Sequence, residues 1–110
     1  MRIEPKKILC AIDFSEFSPG ILLYGRLLST EFGSKLYLCH IVPGSINVSG
    51  HMPSYFDYSG VESELIENAR KRLHEMAEDL GVDCEVMVSS GHPPTQIEML
   101  AHENRMDMVI

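Results

Sequence analysis

The sequence is poor in basic residues and has no long apolar run. Lysine and arginine together number 9, against 16 aspartate and glutamate residues, which gives a net charge of −7. Such a chain repels a phosphate backbone unless its cations gather on one face, so we expect no nucleic-acid partner. No apolar run approaches the roughly 18 residues of a membrane span, and residues 1–7 lead into a short strand-like run instead of a secretion-signal core. We therefore expect no membrane partner and a cytoplasmic protein.

Cysteine and histidine are sparse and unclustered. Cys10, Cys39 and Cys84 each lie in an apolar run without C-x-x-C spacing, which is typical of small buried side chains in a reducing compartment. The five histidines form no H-x-x-x-H or H-E-x-x-H pair, so no metal site is expected. The sequence also lacks the G-x-x-x-x-G-K-[ST] and G-x-G-x-x-G loops. These absences argue against a P-loop and against a dinucleotide fingerprint.

Strand-like and helix-like segments alternate along the chain. Its 110 residues, 45% hydrophobic and 23% charged, suit one globular domain. Unbroken apolar runs or polar-apolar alternation predict strands at residues 7–12, 35–42, 83–88 and 107–110. The third of these alternates and is expected at an edge of the sheet. Apolar residues spaced three and four apart predict helices at residues 19–32, 61–80 and 95–104.

Polar residues and glycines mark the ends of these helices. Ser15 or Ser18 is the expected N-cap of the first helix, which Gly33 ends. Ser59 and Glu62 fit a capping box at the start of the second. The expected inward side chains of the three helices are, in order, Ile21, Tyr24, Leu28 and Phe32; Val61, Leu65, Ala69, Leu73, Met76, Ala77 and Leu80; and Ile97, Leu100 and Ala101.

The order of the elements predicts an α/β fold with an open parallel sheet. Strands joined through helices pair in parallel, and right-handed crossovers then allow a doubly wound sheet or a barrel, which four strands cannot close. An open doubly wound sheet binds its ligand beyond the carboxyl ends of the strands, where the strand order reverses. That crevice would be bounded by residues 11–13 and by whatever follows Ile110.

Asp13, just past the first strand, is the candidate polar group of this crevice. Its carboxylate would accept hydrogen bonds from a ribose hydroxyl or an adenine amino group, or it would cap the first helix, and the two roles can coexist. A haloacid dehalogenase would need a second acid where Ser15 stands, and a receiver domain would need further acids. No nucleophile and base stand at an interpretable spacing, so no catalytic residue is predicted.

A long irregular segment separates the second strand from the second helix. Residues 43–60 are rich in glycine, proline and serine, and connections of this length are usually functional or mobile. The segment also carries a cluster of aromatic and neighbouring side chains, which forms either a contact surface or a lid over the core. The members of this cluster are His51, Met52, Pro53, Tyr55, Phe56 and Tyr58.

Four stretches of the chain resemble the universal stress protein family. Residues 6–18 resemble its opening strand and turn, and residues 38–42 resemble its second strand with a histidine before an aliphatic residue. Residues 91–93 look like its G-x-P turn, and residues 107–110 like its fourth strand. The likeness spans the chain apart from the long segment.

The resemblance implies an adenine nucleotide α-hydrolase-like fold that binds ATP or AMP between strands 1 and 4. The family's strand order is 3-2-1-4-5, so 3-2-1-4 is expected here with the fifth strand missing. The implied nucleotide-binding residues are Ala11, Ile12, Asp13 and Ile41, with Ile41 against the adenine. The family's phosphate loop, G-x2-G-x9-G-[ST], would begin just beyond Ile110, so residues 1–110 are expected to be one domain without its glycine loop, last helix and last strand.

The resemblance also implies a biological setting. It suggests a stress-response protein that forms a homodimer, with magnesium at most as the companion of ATP and at most weak ATP hydrolysis. The alternative is a dimerisation or partner-interaction module that binds no nucleotide.

Overall fold

A parallel sheet of four strands forms the centre of the computed structural model, which describes residues 4–43 and 58–110. The strands are β1 (Lys7–Ala11), β2 (Lys35–Pro43), β3 (Glu85–Gly91) and β4 (Met108–Val109). The helices are α1 (Ser18–Phe32), α2 (Tyr58–Asp79) and α3 (Pro93–Glu103). The strand order is β3-β2-β1-β4 and every pair is parallel, which confirms the predicted open doubly wound fold and its 3-2-1-4 order.

The core lies on both faces of the sheet, because alternate residues of a strand point to opposite sides. Ile8, Cys10 and Ile12 are buried on the face that α1 and α2 cover. Leu9 is buried on the opposite face, beneath α3. Burial on both faces explains why β1 is an unbroken apolar run in the sequence.

The start of α1 differs from the predicted cap. The N-cap is Phe17 and makes no side-chain capping bond, whereas a proline stands in the first turn. The Ser15 hydroxyl accepts a hydrogen bond from the Phe17 N–H, and the Ser18 hydroxyl donates to Asp13. The prediction of Ser15 or Ser18 as N-cap is therefore wrong, because both hydroxyls bond within the preceding loop. Gly33 ends the helix with φ 65°, as predicted.

The face that α1 turns to the sheet agrees with the prediction in part, since Ile21 and Leu28 pack against the core. Leu22 and Gly25 are buried, whereas Tyr24 is 56% exposed, so its assignment to the inward stripe is wrong. A Cβ on Gly25 would lie 2.4 Å from Cys10 Sγ, so glycine lets the helix approach β1 at this point. The exposed side of α1 consequently carries large apolar side chains, namely Phe17, Leu23, Tyr24 and Leu27.

The other predicted elements are present with shifted ends. The second helix begins at Tyr58, so Ser59 lies inside it and is not its N-cap, and the Glu62 carboxylate accepts a hydrogen bond from the Ser90 hydroxyl. Its side chains Ala69, Leu73 and Ala77 are buried as predicted, but Leu65 is largely exposed. The inward residues predicted for α3 pack against the core, and β3 is an edge strand.

Two sequence predictions concern membranes and the long segment. None of the helices in the described residues is long and apolar enough to cross a bilayer. The side chains of the predicted contact surface or lid, from His51 to Tyr58, lie outside what the structure describes.

Candidate functional site

The loop after β1 presents Asp13 at the carboxyl edge of the sheet. Asp13 Oδ1 accepts hydrogen bonds from the Ser15 backbone N–H at 2.9 Å and from the Ser18 hydroxyl at 3.1 Å. Hydrogen bonding from Ser15, supported by Ser18, holds the pKa of the Asp13 carboxyl below its usual range. Oδ2 accepts no hydrogen bond from another described residue. The loop thus orients the carboxylate through Oδ1, and Asp13 is an exposed residue.

A cavity of about 520 Å³ opens beside this carboxylate, beyond the carboxyl ends of β1 and β2. Its walls include Ala11, Ile12, Asp13 and Ile41, so the structure brings together the four residues predicted for the site. A cavity of this size with apolar walls and few polar groups is typical of small-molecule sites. Open parallel sheets bind ligands at this edge.

Six other residues line the same cavity and were not predicted for it. Cys39 lies two residues before Ile41 on β2 and so shares its face, a period-two signal that was sufficient to find it. Ile97 was predicted only as an inward residue of α3, because helical periodicity does not reveal which strand ends a helix covers. The six residues are Ile21, Cys39, His40, Pro43, Pro93 and Ile97.

The position of the cavity differs from the predicted crevice between strands 1 and 4. Ile110 O accepts a hydrogen bond from the Ala11 N–H at 3.1 Å, so the backbone that follows β4 does reach this edge. Among the described residues, however, β2 and α3 supply the walls opposite β1, and β4 supplies none.

The described walls offer apolar contact and hydrogen bonding but no reactive group. Burial raises the pKa of the Cys39 thiol to about 11, so it stays protonated and is a poor nucleophile. No lysine or arginine lines the cavity in the part of the chain that is described. Within that same part, no cluster of three or more His, Cys, Asp or Glu side chains could hold a metal ion. The site is suited to binding an uncharged, partly polar molecule.

The parallel sheet and this cavity define a doubly wound α/β protein with a cavity at its strand ends. A family model described as "Universal stress protein family" matches residues 4–110. The chain therefore belongs to the universal stress protein family. A search of curated proteins gives no match.

Solved structures share the fold at low sequence identity. MJ0577, described as a hypothetical protein, is 22% identical with a TM-score of 0.74, and the match covers 97% of this chain and 73% of that one. UspA from Lactobacillus plantarum is 18% identical with a TM-score of 0.77, covering 98% and 77%. A universal stress protein in complex with cAMP is 15% identical with a TM-score of 0.58, covering 97% and 72%.

Proposed function

We propose that this chain binds the adenosine part of an adenine nucleotide, ATP or AMP, in the cavity beside Asp13. The observation that carries the proposal is an exposed carboxylate, oriented through one oxygen, at the mouth of an apolar cavity. A purine base fits apolar walls such as Ile12 and Ile41, and a ribose hydroxyl would donate to Asp13 Oδ2. The solved family structure with bound cAMP supports a nucleotide as the ligand class.

The absence of cations from the described walls bears on which nucleotide is preferred. Phosphate groups are held by backbone N–H groups and by lysine or arginine, and the chain has a net charge of −7. We therefore expect adenosine and AMP to bind at least as well as ATP, with magnesium entering only as a companion of ATP. Three inferences remain predictions. They are that residues 1–110 form one domain without its glycine loop, last helix and last strand, that the protein acts in a stress response, and that it is cytoplasmic.

Calorimetric titration of adenosine, AMP and ATP into the chain tests the proposal. We expect adenosine to bind, and Asp13→Asn to weaken it about tenfold, because a hydrogen bond to a charged acceptor contributes about 1.5–3 kcal/mol. Asparagine keeps an acceptor oxygen for the Ser15 and Ser18 bonds, so the loop is preserved.

The matched control is Asp83→Asn, which changes an exposed aspartate just before β3. It should leave the affinity for adenosine unchanged. The proposal would be contradicted if the wild-type chain bound none of the three ligands. It would also be contradicted if Asp13→Asn bound adenosine as tightly as the wild-type chain.

A second candidate function is self-association, which corresponds to the dimerisation or partner-interaction module named as the alternative from the sequence. The observation that favours it is the exposed apolar side of α1, where Phe17 is 70% and Leu27 is 65% exposed. Contiguous apolar surface is typical of protein contacts. The homodimer predicted from the family resemblance would then use this side of α1.

A further inference from the structure

The residue after Asp13 has an unusual backbone conformation. Phe14 has φ 63°, in the left-handed region that a residue with a Cβ seldom adopts. Among the described residues, Arg105 is the other non-glycine residue with positive φ. A conformation of this kind persists only where surrounding contacts hold it, and it recurs at ligand sites.

The contacts that hold Phe14 come from two other elements. Arg72 of α2 places its guanidinium carbon 4.0 Å from the centroid of the Phe14 ring. His40 of β2 places its ring centroid 4.4 Å from that of Phe14, with 37° between the planes. Phe14 also packs against the core on this face of the sheet. We call the Arg72, Phe14 and His40 side chains the ring stack.

The ring stack is tied to the cavity through His40. His40 Nδ1 lies 2.7 Å from Ile12 O, a distance at which the ring N–H donates to the carbonyl. Ile12, Asp13 and His40 all line the cavity. The stack is therefore bonded to the backbone immediately before Asp13.

The conformation of Phe14 is linked to the position of the Asp13 carboxylate. Phe14 is the residue between Asp13 and Ser15, so its backbone dihedral angles contribute to the direction of the Ser15 N–H. With φ 63° that N–H donates to Asp13 Oδ1 at 2.9 Å. A hydrogen bond from residue i+2 to an aspartate side chain defines an Asx turn.

We propose that Phe14 is a positioning residue for the ligand-binding carboxylate: the ring stack fixes the left-handed turn that presents Asp13 to the cavity. This inference rests on the proposed function, since it assigns Asp13 to the bound nucleoside. Phe14 itself is not among the lining residues, so it acts through Asp13.

Phe14→Leu is the informative variant, because leucine keeps an apolar side chain in the core but has no ring face for Arg72 and His40. Cation-π and aromatic pairs contribute modestly each, so we expect adenosine to bind about fivefold more weakly in calorimetry. Phe14→Tyr retains the ring and should restore wild-type affinity. Phe17→Leu makes the same change at an exposed phenylalanine three residues away and should leave affinity unchanged.

A second measurement needs no ligand. The pKa of the Asp13 carboxyl, measured by carbon-13 NMR titration, should rise toward the usual aspartate range in Phe14→Leu and stay low in Phe14→Tyr. A general loss of stability would not move it while the chain remains folded. An unchanged Asp13 pKa in folded Phe14→Leu, or unchanged adenosine affinity, would overturn the inference. Absence of binding by the wild-type chain would instead overturn the proposed function, and the pKa would still show whether Phe14 positions Asp13.

Discussion

Gly25 lies where α1 packs closely on β1. A Cβ there would lie 2.4 Å from Cys10 Sγ and 3.3 Å from a Leu36 methyl carbon. Overpacking a core usually costs about 1–3 kcal/mol. The gain in helix propensity offsets about 1 kcal/mol of this cost, so Gly25→Ala should lower the free energy of unfolding by up to about 2 kcal/mol. Urea denaturation followed by circular dichroism measures the difference.

Gly20 in the same helix provides the matched control for that measurement. No atom lies within 4 Å of a Cβ placed on Gly20. Gly20→Ala should be neutral or raise the unfolding free energy by up to about 1 kcal/mol. Equal effects of the two substitutions would show that helix propensity, and not the Cys10 contact, decides the outcome at Gly25.

The four residues predicted for the site line one cavity, but the sequence did not predict where that cavity lies. Asp13 could be selected from the sequence because it follows a buried strand, but cap and ligand contact remained open. In the structure Asp13 does not cap α1: its Oδ1 accepts hydrogen bonds from the Ser15 N–H and the Ser18 hydroxyl, and the start of the helix has no side-chain capping bond. Ligand contact by Asp13 stays a prediction. The positive φ of Phe14 could not be predicted, because no local sequence pattern indicates a phenylalanine in the left-handed region.

At the scale of elements, α1 has a buried and an exposed apolar side, and substitutions on the two sides should change the free energy of unfolding by different amounts. Leu22 is fully buried and Leu27 is 65% exposed. Leu22→Ala should lower the unfolding free energy by about 2–5 kcal/mol, whereas Leu27→Glu should change it by less than about 0.5 kcal/mol. If the exposed side joins two copies of the chain, Leu27→Glu should also shift sedimentation velocity from dimer to monomer.

Sedimentation of the wild-type chain tests whether α1 joins two copies. A sedimentation coefficient of a monomer at every concentration would rule out self-association through α1. A dimer that persists in Leu27→Glu would place the contact elsewhere.

The rotation of α1 illustrates a limit of periodicity. Its apolar residues surround much of the helix, so several stripes satisfied a spacing of three and four. From the predicted stripe, Ile21 and Leu28 do pack against the core, but Tyr24 does not. Leu22 and Gly25 are buried instead, because glycine permits a close approach to β1. In α2, where charged residues cover one side, the predicted inward residues were largely correct.

At the scale of the whole molecule, topology was the most predictable property. Alternating strands and helices with right-handed crossovers predicted an open doubly wound sheet, and the family resemblance predicted the strand order β3-β2-β1-β4 that is observed. The walls of the cavity were less predictable, since they depend on how α3 lies over β2. Such packing arises from long-range contacts that local sequence patterns do not encode.

The burial of the thiols gives the chain its own reporters of unfolding. Cys10 and Cys39 are fully buried, and burial raises the pKa of Cys10 to about 12. Cys84 is partly exposed. A thiol-specific alkylating reagent reacts with the thiolate of an accessible cysteine. Under native conditions, mass spectrometry should thus detect one early adduct, on Cys84, and later adducts only as molecules open.

The rate of the later adducts then measures the opening equilibrium, as hydrogen exchange does for amides. Because Cys39 lines the cavity, adenosine that binds there should slow its alkylation by a factor of about 1 plus the ratio of the free adenosine concentration to Kd. Cys84, which directly precedes β3 and does not line the cavity, should be unaffected. Rapid alkylation of Cys10 or Cys39 in the folded chain would contradict this expectation. The rate at which the Cys39 adduct appears in the mass spectrum would in this way report ligand binding in the cavity.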